Sequence, residues 1–232
     1  TGAASVLLMI GVRELEPVPA RPAALKRASM KEQWSVVREN RGLALLLTAT
    51  MITGFGHILV APLYQIMQVE RLGLSNVEIG WARVAYYVCL IGAYLLGGRA
   101  LDKHPPERVL LIGFFALGIT PLLYGLFGTY PAVLAGSGLN AIGDAIWDIG
   151  ILAYIFRIAP GREAVVFGLH LLLFGIRGTI GPLLSTSLLG VVPLSWLFLV
   201  GALFGLAGTF LLWRGNRTAA MRGTGTSVSA GQ

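Results

Sequence analysis

Three polar side chains lie four residues apart within one long apolar stretch, residues 131–157: Asn140, Asp144 and Asp148. On a helix this spacing places all three on one face. An aspartate at the centre of a membrane helix costs about 2.5–3.5 kcal/mol, whereas each large apolar residue returns only about 0.3–0.6 kcal/mol. The two carboxylates therefore need a protein partner or a wet cavity, and such a cluster indicates a functional site by default. Arg177, within the next apolar stretch, is the expected counter-charge.

This cluster suggests proton exchange. Burial and a neighbouring positive charge shift the proton affinity of a carboxyl group in opposite directions. Movement of Arg177 relative to Asp144 or Asp148 would then switch proton binding on and off. The alternative is a permanent structural salt bridge, so the cluster belongs either to a transport mechanism or to the scaffold.

A second polar stripe lies in the first full apolar stretch, with spacings of three, four and seven residues that indicate one helical face. Gly54, Gly56 and Pro62 interrupt this stretch and favour a pliable helix. The stripe is expected to line a wet pathway, with His57 near mid-depth. Interhelical hydrogen bonding by the Thr and Gln side chains is the alternative. Its members are Thr50, Thr53, His57, Tyr64, Gln65 and Gln68.

The second apolar stretch carries Arg83, Tyr87 and Tyr94 on one side. Arg83 lies about one turn from the end of its stretch, so its side chain is expected to snorkel to the membrane interface. It is therefore interpreted as a structural residue.

The composition identifies a chain made mostly of membrane helices. Of 232 residues, 55% are hydrophobic and only 12% are charged, whereas soluble domains have about 25% charged residues. The net charge of +7 comes from basic residues at the ends of apolar runs rather than from one patch, which disfavours nucleic-acid binding. The single Cys89 permits no intrachain disulfide, and no spacing suggests a metal or another cofactor.

The hydropathy pattern predicts an all-α fold, a polytopic bundle of six membrane helices. Residues 1–12 are too short to span a bilayer and are expected to be the truncated end of a preceding helix, or else a short interfacial segment. Residues 13–41 form a basic linker, in which Ser29 and Glu32 fit a capping box that opens a short helix, with Trp34 and Val37 at the headgroup level. Residues 42–214 form the six-helix unit, and 215–232 a tail expected to be disordered. The six predicted spans are 43–69, 79–101, 109–127, 131–157, 164–192 and 193–213.

Basic residues in the connectors predict the orientation. Fifteen lie in the linker, in the second and fourth connectors between spans and in the tail, whereas the opposite connectors contain Arg71 alone. The positive-inside rule then places the linker and the C-terminus in the cytoplasm of an integral protein, interpreted as one of the plasma or inner membrane.

A charged loop between the second and third spans carries a family resemblance. Gly98, Asp102, Lys103 and Arg108 match the signature loop of the major facilitator superfamily, although residues 104–107 read His-Pro-Pro-Glu where the family has Gly-Arg. The resemblance implies a latch that stabilises one conformation of a transporter, with Gly98 allowing close helix approach. Asp102 would cap a helix or pair with a nearby arginine. An ordinary charged turn is the alternative.

The fifth span contains a Gly-rich segment that ends in proline. Gly178 and Gly181 favour close backbone contact, and Pro182 permits a bend. This pattern is similar to the fifth-span kink of the same superfamily, although Leu183, Leu184 and Ser185 follow where that motif has Gly.

The resemblance covers the whole chain and implies the C-terminal half of a major facilitator. It implies two inverted three-helix repeats, a cavity lined by the first and fourth spans, and partners that include the lipid bilayer, a missing N-terminal six-helix half and a small-molecule substrate. The predicted function is secondary active transport by alternating access, coupled to protons if Asp144 or Asp148 exchanges them. The carboxylates favour export of a cationic or amphipathic compound, whereas a free Arg177 would suit an anion.

Two other classes of protein remain as alternatives. A rhomboid-like intramembrane protease would need a nucleophile and a base at one depth. Ser137 and His170 are the nearest candidates, but they lie towards opposite ends of their helices, so the chain is predicted not to be an enzyme. A membrane scaffold or receptor is the third possibility, and the buried charges disfavour it.

Overall fold

The computed structural model of the chain describes residues 30–226. The predicted truncated helix at 1–12 and the first part of the linker, including Ser29, lie outside these residues. The described part is built of helices joined by short turns. These helices are α1 (Met30–Glu39), α2 (Arg41–Ile66, prolonged by a π-helical turn at Met67–Arg71), α3 (Asn76–Lys103), α4 (Pro106–Phe127), α5 (Tyr130–Ile158), α6 (Glu163–Leu188) and α7 (Leu194–Thr226).

Six of these helices, α2 to α7, are long and apolar enough to cross a membrane. Each coincides within a few residues with a span predicted from hydropathy, because about twenty apolar residues are needed to cross the hydrocarbon core. The all-α polytopic bundle is therefore confirmed. Helix α7 continues to Thr226, so the first residues of the predicted tail are helical.

Side-chain caps set two of the helix starts. The side-chain oxygen of Asn40 accepts a hydrogen bond from the backbone N–H of Leu43 (3.2 Å) and so caps α2, while its amide donates to the carbonyl of Ile158 (3.0 Å) at the end of α5. Ser75 and Glu78 form a capping box at the start of α3.

We call the face of the bundle that bears the α3–α4 and α5–α6 connections the basic face.

The packing of the helices follows a twofold pattern. Helix α2 packs on α6 and α7, α5 packs on α3 and α4, and α4 packs on α7. Exchanging α2 with α5, α3 with α6 and α4 with α7 leaves this set of contacts unchanged. Helices in the same place of the two triplets run in opposite directions, because consecutive spans alternate. This is the arrangement expected of inverted three-helix repeats.

Glycine pairs allow the helices of the bundle to cross closely. A Cβ added to Gly205 would lie 2.6 Å from the Cα of Gly118, where α7 crosses α4. Gly56 and Gly201 have the same role between α2 and α7, as do Gly113 and Gly143 between α4 and α5. Small residues at such crossings are typical of membrane helix packing. They fix the separation of the helices that carry the polar residues.

Helices α3 and α6 lie at the outside of this unit. Only 11% and 28% of their most apolar windows are buried, against 56% for α2 and α4. Helix α1 packs on α2 and α6 beside the basic face. Val37 is buried there in the core, whereas Trp34 is exposed.

Candidate functional site

Asp144 lies in the middle of α5 and contacts polar side chains of two neighbouring helices and of its own. Its Oδ2 accepts from the Tyr86 hydroxyl of α3 (2.8 Å) and from the Asn140 amide one turn earlier (2.8 Å). Its Oδ1 lies 3.4 Å from Nε2 of His57 on α2. Helices α2 and α5 have few other contacts, among them the hydrogen bond from Asn40 to the carbonyl of Ile158 at their ends, so the His57–Asp144 pair links them in the middle of the bundle.

Asp148 lies one turn further along α5 and is more open. It is exposed in the described part of the chain, and its Oδ2 accepts a hydrogen bond from the Tyr94 hydroxyl of α3 (2.7 Å). The sequence pattern singled out Tyr94 as a polar residue of the second span, but it did not single out Tyr86. A usable signal was present, because Tyr86 and Tyr94 are eight residues apart and recur on one face of α3, which packs along α5.

Arg177 is not the counter-charge of the aspartates in this structure. No ion pair joins it to Asp144 or Asp148, all three being residues that the structure describes, and His57 takes that place. The guanidinium is buried and donates through Nη1 to the carbonyl of Thr50 on α2. Packing rather than ion pairing therefore holds it.

The surroundings of the Arg177 guanidinium are mostly apolar. Its Cζ lies 5.0 Å from the ring centroid of Trp147 and 5.2 Å from that of Phe174. A Cβ added to Gly54 would overlap the guanidinium, and would lie 2.8 Å from its Nε. That Nε is buried and has no hydrogen-bond partner among the described residues. Gly54, taken from the sequence as a sign of helix flexibility, therefore makes room for the arginine.

The Trp147 pocket is a cavity of about 270 Å³ that brings the two charged regions together. Arg177 and Phe174 of α6 lie on one side, Asp144, Trp147 and Asp148 of α5 on another, and Gly54 and His57 of α2 on a third. The sequence predicted that the first and fourth spans supply polar residues to one cavity. The structure places residues of both in this lining and adds α6.

The Gln68 pocket is a larger cavity of about 510 Å³ on the side away from the basic face. Tyr64, Gln65 and Gln68 of α2 line it together with Arg83, Ser137 and Asn140. His57, Tyr86 and Asp144 line both cavities. The His57–Asp144 pair therefore lies where the two pockets meet.

The polar stripe on α2 divides into two parts. His57, Tyr64, Gln65 and Gln68 line the Gln68 pocket. Thr50 and Thr53 are buried instead, and the Thr53 hydroxyl contacts the carbonyl of Gly205 on α7 at 3.5 Å. Helices α6 and α7 cover α2 at that depth. Thr53 therefore contacts another helix, whereas the Thr50 hydroxyl donates to the carbonyl of Leu47 within α2 (3.0 Å).

In the loop predicted to be a latch, Asp102 makes, among the residues described, neither the helix cap nor the ion pair that was expected of it. Helix α3 includes Asp102 and Lys103, both exposed, and the N-cap of α4 is Pro105, so Asp102 caps no helix. Asp102 forms no ion pair within the described part of the chain. Glu107 does so in this region, with Arg157 of α5 at 2.8 Å.

Gly97, rather than Gly98 as predicted, approaches another helix closely. A Cβ on Gly98 would meet nothing within 4 Å, whereas a Cβ on Gly97 would lie 2.9 Å from Cδ1 of Ile149. Arg108 is exposed.

The Gly-rich segment of α6 makes one close contact. A Cβ on Gly181 would lie 3.1 Å from Cγ2 of Ile58 and 3.2 Å from the N of Leu59, whereas a Cβ on Gly178 would meet nothing within 4 Å. Pro182 lies inside a continuous helix. Close packing in this segment is therefore confined to Gly181.

The two residues considered for an enzyme lie in different places. Ser137 lines the Gln68 pocket, 3.5 Å from the Tyr124 hydroxyl. His170 is buried beside Trp147 and Phe167, with ring centroids 6.2 Å apart in each case. These two described residues form no dyad.

Several curated transporters are similar to this chain. It is 26% identical over 182 residues to MFS-type transporter poxA of Penicillium oxalicum, covering 78% of this chain and 31% of that protein. It is 27% identical over 124 residues to the rubrofusarin-specific efflux pump aurT of Gibberella zeae, covering 53% and 23%. It is 25% identical over 174 residues to multidrug resistance protein MdtH of Proteus mirabilis, covering 74% and 43%. The chain thus spans less than half the length of each.

A family profile matches most of the chain. The profile is described as the Major Facilitator Superfamily, and the match covers residues 46–229. It includes α2 from Leu46 onward, all of α3 to α7 and every residue of the two pockets. This match confirms the prediction of a transporter family rather than an enzyme, and the chain belongs to the Major Facilitator Superfamily.

Proposed function

We propose that this chain forms one six-helix half of a secondary transporter that exports a small amphipathic compound by alternating access, with the His57–Asp144 pair as its proton-exchange site. The observation that carries this proposal is the position of the pair. It lies near the middle of two membrane helices, at the junction of two cavities. A titratable pair in that position meets both the solute and water.

Proton binding at this pair changes a contact between helices. When Asp144 is protonated, it loses its negative charge and attracts the imidazole of His57 less strongly, and α2 and α5 have few other contacts to hold them together. Tyr86 and Asn140 then share a neutral acceptor, and hydrogen bonds to a neutral group are weaker. Proton uptake therefore loosens the contact between α2 and α5, and proton release restores it.

Alternating access requires a second wall. The exposed apolar faces of α3 and α6 fit a partner bundle, and the relatives are more than twice as long as the matched region. We propose that a further six-helix half of the same protein completes the cavity. The loop residues Gly98, Asp102, Lys103 and Arg108 would then form a latch in another conformation, because no described residue forms an ion pair with Asp102 in this one.

The proposed cargo follows from the lining and from the relatives. Trp147, Phe174 and Tyr86 offer aromatic surface beside charged groups, which suits an amphipathic molecule. Relatives named as an efflux pump and as multidrug resistance proteins support export. The basic residues of the connectors support a cytoplasmic linker and C-terminus, and the proposed location is a plasma or inner membrane.

The test is transport by the complete protein in proteoliposomes, with and without a pH gradient. We expect Asp144→Asn to abolish gradient-driven accumulation while preserving exchange down a concentration gradient, and Asp148→Asn to have a smaller effect. Glu107→Gln is the matched control, because it removes a carboxylate outside both pockets. Gradient-driven transport that is unchanged in both aspartate variants would exclude the proton role, and absence of any flux in the wild type would exclude a transporter.

A further inference from the structure

We propose that Arg177 binds an anionic group of the transported compound, which makes an aromatic carboxylate the preferred ligand class of the Trp147 pocket. This inference rests on the proposed function, because it takes that pocket as part of the solute pathway. It also changes the expected charge of the transported compound, since the sequence favoured a cationic or amphipathic one.

The positive charge of Arg177 is left uncompensated by the residues described. A guanidinium has five N–H donors, and the structure gives it one acceptor, the carbonyl of Thr50. Its Nε is buried without a partner in the described part of the chain. A buried cation without an anionic partner carries a large desolvation cost, and membrane depth increases it. This site therefore favours the binding of an anion.

The nearby carboxylates are already engaged. Asp144 lies beside the imidazole of His57 and accepts from two neutral donors, Tyr86 and Asn140. Asp148 accepts from Tyr94. The expectation of a cationic or amphipathic cargo took Arg177 to be the counter-charge of these aspartates, whereas in the structure no ion pair joins it to them among the described residues and its Nε has no partner.

The guanidinium is held in position for recognition. Trp147 and Phe174 contact it, and Gly54 leaves the space that it occupies. A fixed planar guanidinium can donate two parallel hydrogen bonds to one carboxylate, which a lysine cannot do. Both rings also belong to the pocket lining, so the same residues that hold the arginine can contact the apolar part of the ligand.

The size of the cavity limits what this half can hold. At about 270 Å³ it is slightly smaller than a typical small-molecule site of about 300–1,000 Å³. It accommodates a carboxylate with one or two fused rings. A longer cargo would extend into the rest of the solute pathway.

Equilibrium binding of three matched probes to the purified complete transporter tests this inference. The probes are 2-naphthoate, the neutral 2-naphthamide and the cationic 2-naphthylmethylammonium, measured by isothermal titration calorimetry without a pH gradient. We expect naphthoate to bind at least about tenfold more tightly than the amide, because hydrogen bonds between charged groups are the stronger ones. Arg177→Gln should abolish that preference, and Arg177→Lys should retain only part of it.

Two further variants test whether the preference for naphthoate comes from the Trp147 pocket. Gly54→Ala keeps the arginine but fills its place, so it should also reduce the preference. Arg83→Gln removes a cation of the Gln68 pocket and should leave the preference unchanged. Equal binding of acid and amide, no binding of naphthoate, or a preference lost with Arg83 but kept in Arg177→Gln would overturn the proposal. Because no transport or proton gradient is involved, failure here is distinct from failure of the proton-exchange role of Asp144.

Discussion

Asp144 and Arg177 carry opposite charges on the walls of one pocket, yet the protein stabilises them by different means. The carboxylate is surrounded by donors from three helices: His57, Tyr86 and Asn140. The guanidinium has one backbone carbonyl, two aromatic rings and a glycine. Both regions keep a buried polar atom without a partner among the described residues, but in the first these atoms belong to the donors His57 and Asn140, whereas in the second the atom belongs to the charged group itself, Nε of Arg177.

This difference separates a structural role from a binding role. A polar network loses stability when its central acceptor is removed, because the donors around it are left unsatisfied. An unpaired buried charge behaves in the opposite way, because its removal also removes a desolvation cost. Stability and function should therefore respond differently at the two positions.

The largest expected effect on stability follows from this contrast. Asp144→Leu should destabilise the protein by about 1–3 kcal/mol, since it leaves three partly buried donors without their acceptor. Arg177→Met should cost less than about 1 kcal/mol or even raise stability, because it replaces a buried charge by an apolar chain of similar length. Thermal unfolding in detergent micelles measures both.

Asp148→Leu is the control for this comparison, because Asp148 is exposed and has one partner, Tyr94. The loss of stability in Asp148→Leu should lie between those of Asp144→Leu and Arg177→Met. If Arg177→Met were as damaging as Asp144→Leu, the arginine would be a structural residue and the contrast would fail.

The sequence predicted the elements well because hydropathy is a local property. Each of α2 to α7 contains about twenty apolar residues in sequence, and Asn140, Asp144 and Asp148 share a face through helical periodicity alone. The Trp147 pocket could therefore be predicted as far as its contributions from α2 and α5.

The partner of Asp144 could not be predicted in the same way. His57, Asp144 and Arg177 each lie near the middle of a membrane helix, so depth alone does not distinguish the two cations. The choice depends on where α6 packs against α2, which Gly54 and Gly181 determine from helices far apart in the sequence. Contacts between helices that are far apart in the chain leave no periodic pattern in the sequence.

A smaller effect is expected where α6 meets α2, the contact that holds Arg177 away from Asp144. A side chain at Gly181 would approach Ile58 and Leu59 at 3.1–3.2 Å, whereas Gly178 has open space. Alanine improves helix propensity by up to about 1 kcal/mol at either position. Gly178→Ala should therefore stabilise the protein, and Gly181→Ala should lose that gain or reverse it.

Thermal unfolding of the two alanine variants in one detergent checks this prediction. Naphthoate binding should also fall in Gly181→Ala, because displacement of α6 moves the guanidinium. Equal stabilisation by both substitutions would mean that this contact does not position α6.

The smallest effect is expected at the basic face, where charge is solvated rather than buried. Glu107 and Arg157 form an ion pair at 2.8 Å, with the Arg157 side chain 52% exposed. Exposed pairs contribute about 0.2–1 kcal/mol, so Glu107→Gln should lower stability by no more than this, and high salt should remove the difference. Asp102→Asn should have no measurable effect on stability, because Asp102 is exposed and unpaired among the residues described. Unfolding at low and high ionic strength measures both, and a loss at Glu107 as large as that of Asp144→Leu would show that burial is not what distinguishes the site.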